Sequence, residues 1–322
     1  MPGEAATGTH AVIVTFSPDG ERFERQAATL ARQVAKAVVV DNGSTPQALA
    51  RLRATCAARA DHITLIELGE NRGIAAAQNV GIGRALTAGA ERILLMDHDS
   101  LPDDRMVARL EAALAALRAT GLKVAAVGPR YLDARQDNPP PFIRVRGGRL
   151  HRLPCPSAET VNEVDYLIAS GSLIPREALE AVGMMNEALF IDYVDIEWGL
   201  RARGRGFLSY GVCGATMSHD LGEQPIVVLG RALPSHSPMR HYYHFRNAAW
   251  LFRFGDVPRE WKFVDCYRLG LRFGFYAIFA KPRPAHVRAM ITGLRDGLRG
   301  RLGPAAGPRF ATASLRPPGL EP

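Results

Sequence analysis

Two groups of acidic side chains each follow an apolar run of this chain and could do chemistry there. The groups, about a hundred residues apart, are Asp97-His98-Asp99 and Asp192, Asp195 and Glu197. Carboxylates rarely lie at the end of a core segment unless a positive group binds them. The sequence therefore predicts a hard divalent cation at the first group and proton transfer at the second.

In the first group, Asp97 and Asp99 are two residues apart, so on an extended chain their side chains lie on the same side and can share a cation. Mg²⁺ or Mn²⁺ is usually held by one or two carboxylates together with substrate phosphates, and it offsets the charge of a leaving diphosphate. His219 is a third candidate ligand, because neutral imidazole commonly binds metals. The alternative is an acidic turn in solvent, or helix caps from Ser100 and Asp103.

In the second group, Asp195 is the candidate general base and Glu197 a supporting acid, while Asp192 is expected to cap the following helix. A base must lie near the proton that it removes, with its pKa adjusted by the surroundings. Partial desolvation of a carboxylate raises its pKa. Three flanking aromatic residues could supply it: Phe190, Tyr193 and Trp198.

The elements that must position these groups alternate between strand and helix. Strands are predicted at 10–16, 37–40, 63–68, 92–96, 123–127 and 164–170, and helices at 21–35, 46–59, 71–88, 103–119, 175–182 and 195–203. This alternation favours an α/β fold with a mostly parallel, Rossmann-like sheet flanked by helices. Ligands bind such sheets beyond the carboxyl ends of the strands, where Thr15, Asp41, Asn71 and Asp97 should converge. Residues 134–160, rich in Pro and Gly, are expected to form an active-site loop.

Some of these residues allow two interpretations. Asp41-Asn-Gly-Ser is a strong turn signal, and a carboxylate at this strand end also suits the N–H of a uracil or thymine base. Arg240, Tyr243 and Arg246 could bind phosphate groups, or they could form a basic helical face with aromatic residues in the core.

Composition narrows the class of protein. The chain has 322 residues, of which 47% are hydrophobic and 22% charged, enough for one large α/β domain with an appendage. The four cysteines form no C-x-x-C pair, so no disulfide framework or zinc site is expected, and a reducing compartment fits. No signal pattern or run of 18 apolar residues occurs, so we expect a cytoplasmic protein that is not an integral membrane protein.

The net charge of +8 comes from an excess of basic residues in the C-terminal part of the chain. Residues 240–301 carry 13 basic and four acidic side chains, whereas the rest of the chain carries 27 and 28. We expect a catalytic domain at 1–235, a basic amphipathic helical segment at 236–300 and a disordered tail at 301–322. The segment could lie on an anionic inner leaflet, giving peripheral membrane attachment. Equally, it could pack on the catalytic domain or on a second subunit as a homo-oligomer.

Taken in order, these residues resemble a family 2 glycosyltransferase with the GT-A fold. The resemblance rests on Val-Val-Val-Asp41-Asn-Gly-Ser, Asn71-Arg-Gly-Ile-Ala-Ala-Ala-Gln-Asn79-Val-Gly81, Asp97-His-Asp99, Asp195-Ile-Glu-Trp and His219. The Asn71 run, Phe190-Ile-Asp-Tyr-Val-Asp-Ile-Glu-Trp198 and His236-Ser-Pro-Met-Arg240-His-Tyr-Tyr243 are most similar to bacterial rhamnosyltransferases of O-antigen or related polysaccharide synthesis. The similarity extends over about residues 10–255.

The resemblance implies an inverting, metal-dependent transfer from a nucleoside-diphosphate sugar, dTDP-L-rhamnose, to a hydroxyl of a glycan or lipid-linked acceptor. It implies Asp195 as the base, with Glu197 behind it, and Asp97, Asp99 and His219 at the Mg²⁺ or Mn²⁺ site. Contacts with the nucleotide sugar are implied for Thr15, Phe16, Asp41, Asn71, Arg72, Gly73, Asn79, Asp97, Arg240, Tyr243 and Arg246. Glu197 as the second acid and His98 between the aspartates depart from many relatives, which leaves the donor sugar and the metal open.

Two other functions are compatible with parts of the sequence. A nucleotidyltransferase also uses an Asp-x-Asp metal site on a parallel sheet, but it would need a glycine-rich, lysine-containing phosphate loop, and Ser17-Pro-Asp-Gly-Glu21 has neither property. A nucleic-acid-binding protein would explain the pI of about 9.6. However, the basic residues lie on an apolar segment, and the acidic crevice would repel phosphates. We therefore expect no nucleic-acid partner.

Overall fold

The computed structural model describes residues 6–132, 142–219, 226–228, 231–233 and 236–305. The strands are β1 Ala6–Thr15, β2 Val34–Asp41, β3 Ile63–Glu67, β4 Arg92–Asp97, β5 Ser100–Pro102, β6 Val124–Leu132, β7 Phe142–Arg146, β8 Arg149–Leu153, β9 Val161–Val164, β10 Leu173–Pro175, β11 Leu208–His219, β12 Ile226–Val228 and β13 Arg231–Leu233. The helices are α1 Gly20–Ala31, α2 Pro46–Ala57, α3 Ile74–Thr87, α4 Met106–Ala119, α5 Arg176–Val182, α6 Val194–Gly204, α7 Pro238–Phe254, α8 Arg259–Phe279 and α9 Arg283–Leu298. A short 3₁₀ turn lies at Glu187–Leu189.

A mixed, mostly parallel sheet forms the centre of the molecule. Within the described residues its strand order is β3-β2-β1-β4-β10-β6-β11-β5, and β9 pairs with β11. The first four strands are parallel, while β10 is antiparallel to β4 and β6, and β5 is antiparallel to β11. The predicted α/β architecture is confirmed.

Both faces of this sheet are buried by helices. Along β1, Ala11 and Ile13 face a core shared with α1, α2 and α4, whereas Val12 and Val14 face a second core shared with α3, α5 and α6. Because strand side chains alternate between the faces of a sheet, a strand covered on both sides must be apolar throughout. This explains the unbroken apolar runs in the sequence.

The structure differs from the prediction before β10 and in the predicted loop. Residues 165–170, predicted as part of a strand, belong to the irregular backbone between β9 and β10. Within the predicted loop 134–160, residues 142–153 form the hairpin β7–β8, in which Arg146 pairs with Arg149 across a two-residue turn. Gly147 and Gly148 both have positive φ, 61° and 69°, as the tight turns that join twisted strands require. Residues 133–141 lie outside the described part of the chain.

The C-terminal helices pack on the α/β unit. Residues of α7 and α8 share an apolar cluster with α6 through Tyr193, Leu200 and Trp261, and α7 packs closely against α9. The predicted domain boundary at 235/236 stays a prediction. The predicted disordered tail is wrong for its first residues, because Gly303 donates its N–H to the carbonyl of Ala188 at 2.7 Å; residues 306–322 lie outside the described part.

A disulfide bond joins Cys155 and Cys213, and it contradicts the expectation of four unpaired thiols. The bond attaches the segment after β8 to β11 of the central sheet. Sequence spacing could not reveal it, because the two cysteines are 58 residues apart and meet only through the fold. Cys56 and Cys266 are free thiols.

Candidate active site

The carboxyl ends of three neighbouring strands bring the first predicted residues together. Thr15 of β1 is in register with Asp41 of β2, and Val14 is in register with Asp97 of β4. Strands are about 4.8 Å apart, so the backbones of Asp41 and Asp97 lie roughly 10 Å from each other across β1. Phe16 is the half-buried residue that follows β1 at this edge.

Asp41 closes the turn that its sequence predicts. Its Oδ2 accepts the N–H groups of Gly43 at 3.3 Å and Ser44 at 3.1 Å, and its Oδ1 accepts the hydroxyls of Thr15 and Ser44. These donors occupy most of the acceptor capacity of a carboxylate. Asp41 therefore fixes the loop, and contact of its side chain with a nucleobase stays a prediction.

The Asn71 loop is attached to the Asp41 loop by side-chain amides. Asn71 Oδ1 accepts the amide of Asn42 at 3.2 Å and the N–H of Gly73 at 3.0 Å, and Asn42 Oδ1 accepts the N–H of Arg72 at 2.8 Å. The backbone amides of this loop are thereby held at the strand edge where the nucleotide is predicted to bind.

Gly73 connects this loop to the second acidic group. Its φ is 87°, and a Cβ placed on it would lie 2.7 Å from the carbonyl oxygen and the ring of Phe190. Ile74 donates its N–H to the same carbonyl at 2.7 Å. Only glycine allows this approach, so Gly73 brings the Asn71 loop against the segment that precedes Asp195.

Two side chains of helix α1 bind the backbone of the Asp97-His98-Asp99 turn. Gln26, fully buried, donates its amide to the carbonyls of Asp97 at 2.6 Å and Ser100 at 2.5 Å, and Arg22 donates to the carbonyl of Asp99. These bonds fix the backbone of the turn. Residues 97–99 are half-buried at the carboxyl edge of the sheet.

The donor atoms at this turn fit a hard divalent cation. The described residues contain no group of three His, Cys, Asp or Glu side chains able to enclose a metal, whereas two carboxylates at a strand end suit a cation that keeps waters and binds substrate phosphates. His219 ends β11 and is in register with Ser100 beside this turn. Its side chain lies outside the described part of the structure, so its role stays a prediction.

One short segment, Ala169–Ser172, contacts both acidic groups. The segment pairs with β4 through Gly171 N–H to Leu95 O at 2.7 Å, and the Ser170 hydroxyl accepts the N–H of Asp97 at 3.1 Å. At its other end, Ala169 lines the same small cavity as Asp195, and its N–H lowers the pKa of that carboxyl. No sequence pattern indicated this connection, because residues up to Ser170 were expected to form a strand.

Asp195 has the protonation behaviour of a general base. Burial raises its pKa, and so does the nearby charge of Asp192, while the N–H groups of Ile196 and Ala169 lower it; the resulting pKa is about 6. Trp198 lies beside it on a cavity of about 20 Å³ that Asp195 also lines. Such a volume holds about one water molecule. The desolvation expected from the aromatic surroundings is present.

Glu197 and Asp192 are both engaged in ion pairs. Arg201 binds Glu197 through two bonds of 2.7 and 3.0 Å, which favours a structural role for this acid. Asp192 pairs with Arg240 at 2.8 Å; burial raises its pKa, but Arg240 outweighs this and the net pKa is lowered. The expectation that Asp192 caps the helix is wrong, because α6 begins after Tyr193, which makes no side-chain cap bond.

The backbone before α6 is strained. Phe190, Asp192 and Tyr193 have φ of 66°, 61° and 65°, a left-handed conformation that costs free energy for residues other than glycine. Asn247 of α7 donates its amide to the carbonyls of Leu189, Ile191 and Asp192 at 2.8–2.9 Å. Sequence reasoning grouped Asn247 with Arg240 and Arg246 but gave it no role of its own, although an amide beside Arg246 in an apolar helix was a signal.

Two residues predicted to contact the nucleotide sugar support this segment instead. Arg246, 1% exposed, donates to the carbonyls of Leu189 and Gly303. Tyr243 stacks on Phe190 with ring centroids 5.0 Å apart and accepts the N–H of Ala305. These contacts favour the second interpretation of this region, core aromatics with a buried arginine, and the predicted donor contacts remain predictions.

Asn79 also makes structural contacts. Its amide donates to the carbonyl of Met185 at 3.0 Å, and its Oδ1 accepts the N–H of the same residue at 2.9 Å. Asn79 therefore holds the segment after α5 against α3. The structure gives no sign that Asn79 reaches the strand edge, and its contact with the donor stays a prediction.

Known proteins share this arrangement. The model of the family described as Glycosyl transferase family 2 matches residues 12–181. A dTDP-rhamnosyl transferase RfbF of Shigella flexneri is 32% identical over 295 residues, 91% of this chain and 96% of the relative. Among solved structures, GalNAc-T7 with UDP, GalNAc and Mn²⁺ has a TM-score of 0.60 at 12% identity, covering 90% of this chain and 56% of that chain. A mannosyltransferase of Pyrobaculum calidifontis in complex with GDP-Man and Mn²⁺ has a TM-score of 0.52 at 17% identity, covering 94% and 77%.

The sheet order, the strand-end residues and these likenesses define a glycosyltransferase with the GT-A fold. The chain belongs to glycosyl transferase family 2. This membership removes the two other functions that parts of the sequence allowed.

Proposed function

We propose that this enzyme transfers L-rhamnose from dTDP-L-rhamnose to a hydroxyl of a glycan or lipid-linked acceptor, with inversion at the anomeric carbon. The similarity to the dTDP-rhamnosyl transferase supports the donor. The observation that carries the proposal is the segment Ala169–Ser172, which lines a cavity with Asp195 at one end and binds the Asp97 turn at the other. One base and one leaving-group site are what a single displacement needs.

In the proposed mechanism, the Asp195 carboxylate accepts the proton of the acceptor hydroxyl, whose oxygen forms the bond to the anomeric carbon. The bond from that carbon to the diphosphate breaks, and its electron pair leaves with dTDP. Asp97 and Asp99 would hold Mg²⁺ or Mn²⁺, which offsets the charge of the diphosphate. The Asp41 and Asn71 loops would bind the nucleotide.

Two variants test the roles of the acidic groups. Asp195→Asn should abolish transfer while dTDP still binds, because only the base is lost. Asp97→Ala should weaken the Mn²⁺ dependence of dTDP binding measured by calorimetry. Glu180→Gln, an exposed acid on α5, is the matched control. Near-normal transfer by Asp195→Asn would contradict the base assignment, and a retained anomeric configuration in the product, read by NMR, would contradict inversion.

We also propose peripheral contact with an anionic membrane through the outer face of α8. None of the described helices is long and apolar enough to cross a bilayer. The exposed residues from 263 to 279 are nevertheless all uncharged: Phe263, Cys266, Tyr267, Gly270, Leu271, Gly274, Ile278 and Phe279. Phe263 is 70% exposed and Tyr267 64%. Basic residues lie at both ends of this face: Arg259 and Lys262 at one end, beside the acidic Glu260, and Lys281 and Arg283 at the other.

The positive end at Lys281 and Arg283 favours a bilayer with anionic lipids over a second copy of the chain, whose own positive end would repel it. Phe263→Ser with Leu271→Ser should reduce flotation with anionic vesicles. Phe252→Ser with Phe254→Ser, two exposed aromatic residues on α7, is the control. Unchanged flotation together with a dimer-to-monomer shift in light scattering would favour the subunit interface instead.

A further inference from the structure

The inner face of α8 carries charged residues that the proposed reaction does not use. Asp265, Arg268 and Arg272 are half-buried and face the protein, while the outer face of the same helix is uncharged. Charged residues of a surface helix normally face solvent. Helix α8 therefore has its charged residues on the protein side and its uncharged residues on the solvent side, and the half-buried charges need an explanation.

One carboxylate, Asp265, faces the positive charges on this side of the helix. Asp265 accepts the hydroxyl of Tyr193 at 2.9 and 3.1 Å; burial raises the pKa of its carboxyl, and the charges of Arg272 and Arg268 lower it. The described structure contains no ion pair between Asp265 and either arginine within 4 Å. Asp265 therefore offsets part of the positive charge from a distance while it binds Tyr193, the residue that precedes the helix of the proposed base.

Arg268 and Arg272 are four residues apart, so they lie side by side and repel each other. Arg272 contacts the ring nitrogen of His244 at 2.7 Å. His244 gives no counter-charge, because burial and Arg272 lower its pKa to about 3 and keep it neutral. Arg268 forms no hydrogen bond or ion pair with any described residue.

A third arginine comes from the hairpin. Helix α8 packs against β7 and β8. Burial and the charge of Arg272 lower the pKa of Arg268 most, Tyr166 and Asp265 raise it, and the charge of Arg152 on β8 lowers it again. Arg152 is exposed and likewise makes no hydrogen bond or ion pair within the described residues. Three like charges close together in a partly desolvated place are unfavourable unless an anion binds them.

The cluster is next to the proposed base. Burial and the charge of Asp195 raise the pKa of Tyr166, and the charges of Arg268 and Arg272 lower it. Tyr166 follows β9 in the irregular segment that leads to Ala169. The arginines are therefore linked to Asp195, where the acceptor hydroxyl would lie.

We infer that Arg152, Arg268 and Arg272 form an anion site that binds a phosphoryl group of the acceptor while its hydroxyl reaches Asp195. Guanidinium groups bind phosphates through paired hydrogen bonds. The inference rests on the proposed function, since it takes Asp195 as the base. It adds a class of acceptor, a phosphate or diphosphate ester, and a place on the chain where that group binds.

Binding of inorganic pyrophosphate tests the site directly. Calorimetry is done on the full chain with EDTA and saturating dTDP, which keep pyrophosphate out of the donor site. Arg268→Met with Arg272→Met should weaken binding at least about tenfold, because two phosphate ligands are lost. Arg268→Lys should lose less pyrophosphate affinity than Arg268→Met. Arg259→Met, an exposed arginine at the start of the same helix, is the control and should bind as the wild type does.

Three further readouts separate the outcomes. Equal pyrophosphate affinity of the double variant and the wild type would overturn the anion site, provided that thermal melting shows both to be folded. A loss of flotation with anionic vesicles at unchanged pyrophosphate affinity would assign the arginines to lipid headgroups and would also overturn it. Release of dTDP from dTDP-rhamnose in water reports the donor reaction alone. Its absence in the wild type would contradict the proposed function without touching pyrophosphate binding.

Discussion

At the scale of single residues, the structure separates acids with similar sequence surroundings. Asp192, Asp195 and Glu197 lie within six positions, yet Arg240 and Arg201 bind the first and the last. Asp195 alone contacts backbone amides in a desolvated place, and its pKa rises to about 6. The pair of Glu197 with Arg201 follows from their spacing of four residues on one helix. The pair of Asp192 with Arg240 spans 48 residues and leaves no local sequence pattern.

The pKa of Asp195 predicts the pH dependence of transfer. Because the base must be ionised, kcat/KM should rise with pH and level off above a pKa of about 6. Asp195→Asn should lower kcat by on the order of 100-fold or more and remove this rise. Steady-state assays from pH 5 to 8 check both; a flat wild-type profile would contradict the assignment.

The same pKa predicts a change in stability with a definite sign. The folded state binds the Asp195 proton more tightly than the unfolded state, since the pKa is raised from 3.8 to about 6. The proton on Asp195 therefore adds to the free energy of unfolding. This contribution is complete below pH 3.8 and is lost as the pH rises through 6. Asp195→Asn should therefore be more stable than the wild type at pH 7.5, by roughly 1–3 kcal/mol, in urea unfolding. Lower stability of the variant would indicate that the carboxylate is not desolvated.

The strained segment before α6 gives a further residue-level prediction. Asn247→Ala removes the amide that binds three carbonyls of residues 189–192, so those buried groups lose a partner. Stability should fall by about 1–3 kcal/mol, and kcat should fall more than dTDP affinity does, because the segment positions Asp195. Asn162→Ala is the control: its amide binds the exposed carbonyl of Pro154 and the sulfur of Cys213, away from the segment before α6, so the ratio of kcat to dTDP affinity should not change.

At the scale of elements, α7 and α9 are joined by two buried histidines. His286 Nε2 donates to the carbonyl of Lys281, so its Nδ1 accepts the Nδ1–H of His241 at 2.9 Å. Burial, with the neighbouring His286, lowers the pKa of His241 to about 3. The pair is neutral. A proton on Nδ1 of His286 would remove the acceptor of this bond, and a proton on Nε2 of His241 would place a charge on a buried nitrogen that has no hydrogen-bond partner among the described residues.

This pair predicts acid sensitivity of the C-terminal helices. The folded pKa lies below the unfolded value of 6.5, so stability is complete above pH 6.5 and declines as the pH falls toward 3. Each histidine contributes at most about 1.4 kcal/mol per pH unit. His241→Phe should reduce the loss between pH 6.5 and 4.5, followed by hydrogen exchange of α7 and α9. An unchanged exchange profile would contradict the prediction.

Elements differ in how far their sequences predict them. The strands and helices up to Asp97 were predictable because two buried faces demand apolar runs and turns follow each one. β11 was missed because Gly211 and Gly214 interrupt its apolar run; side chains at these positions would collide with Phe142 and Ala158. The candidate metal and base residues were predictable in type, whereas Ala169–Ser172 and Asn247 act through backbone contacts that leave no pattern.

At the scale of the whole molecule, the disulfide bond connects the hairpin region to the central sheet. It closes a loop over 58 positions of the chain, and closing a loop of this length stabilises a fold by on the order of 2–4 kcal/mol. Cys155→Ser with Cys213→Ser should lower stability by that amount. Cys266→Ser, which changes an exposed free thiol, is the control. Cys56→Ser does not serve as one, because Cys56 is buried. Equal melting temperatures with and without reductant would show that the bond carries no stability.

The position of Ala169–Ser172 also constrains how this enzyme can diverge. In the proposed reaction these four residues lie between the leaving-group side and the acceptor side, so a change in one of them affects both sides. Relatives that adopt a new sugar donor are therefore expected to readjust their acceptor preference through the same residues. Selection for one new specificity would carry the other with it.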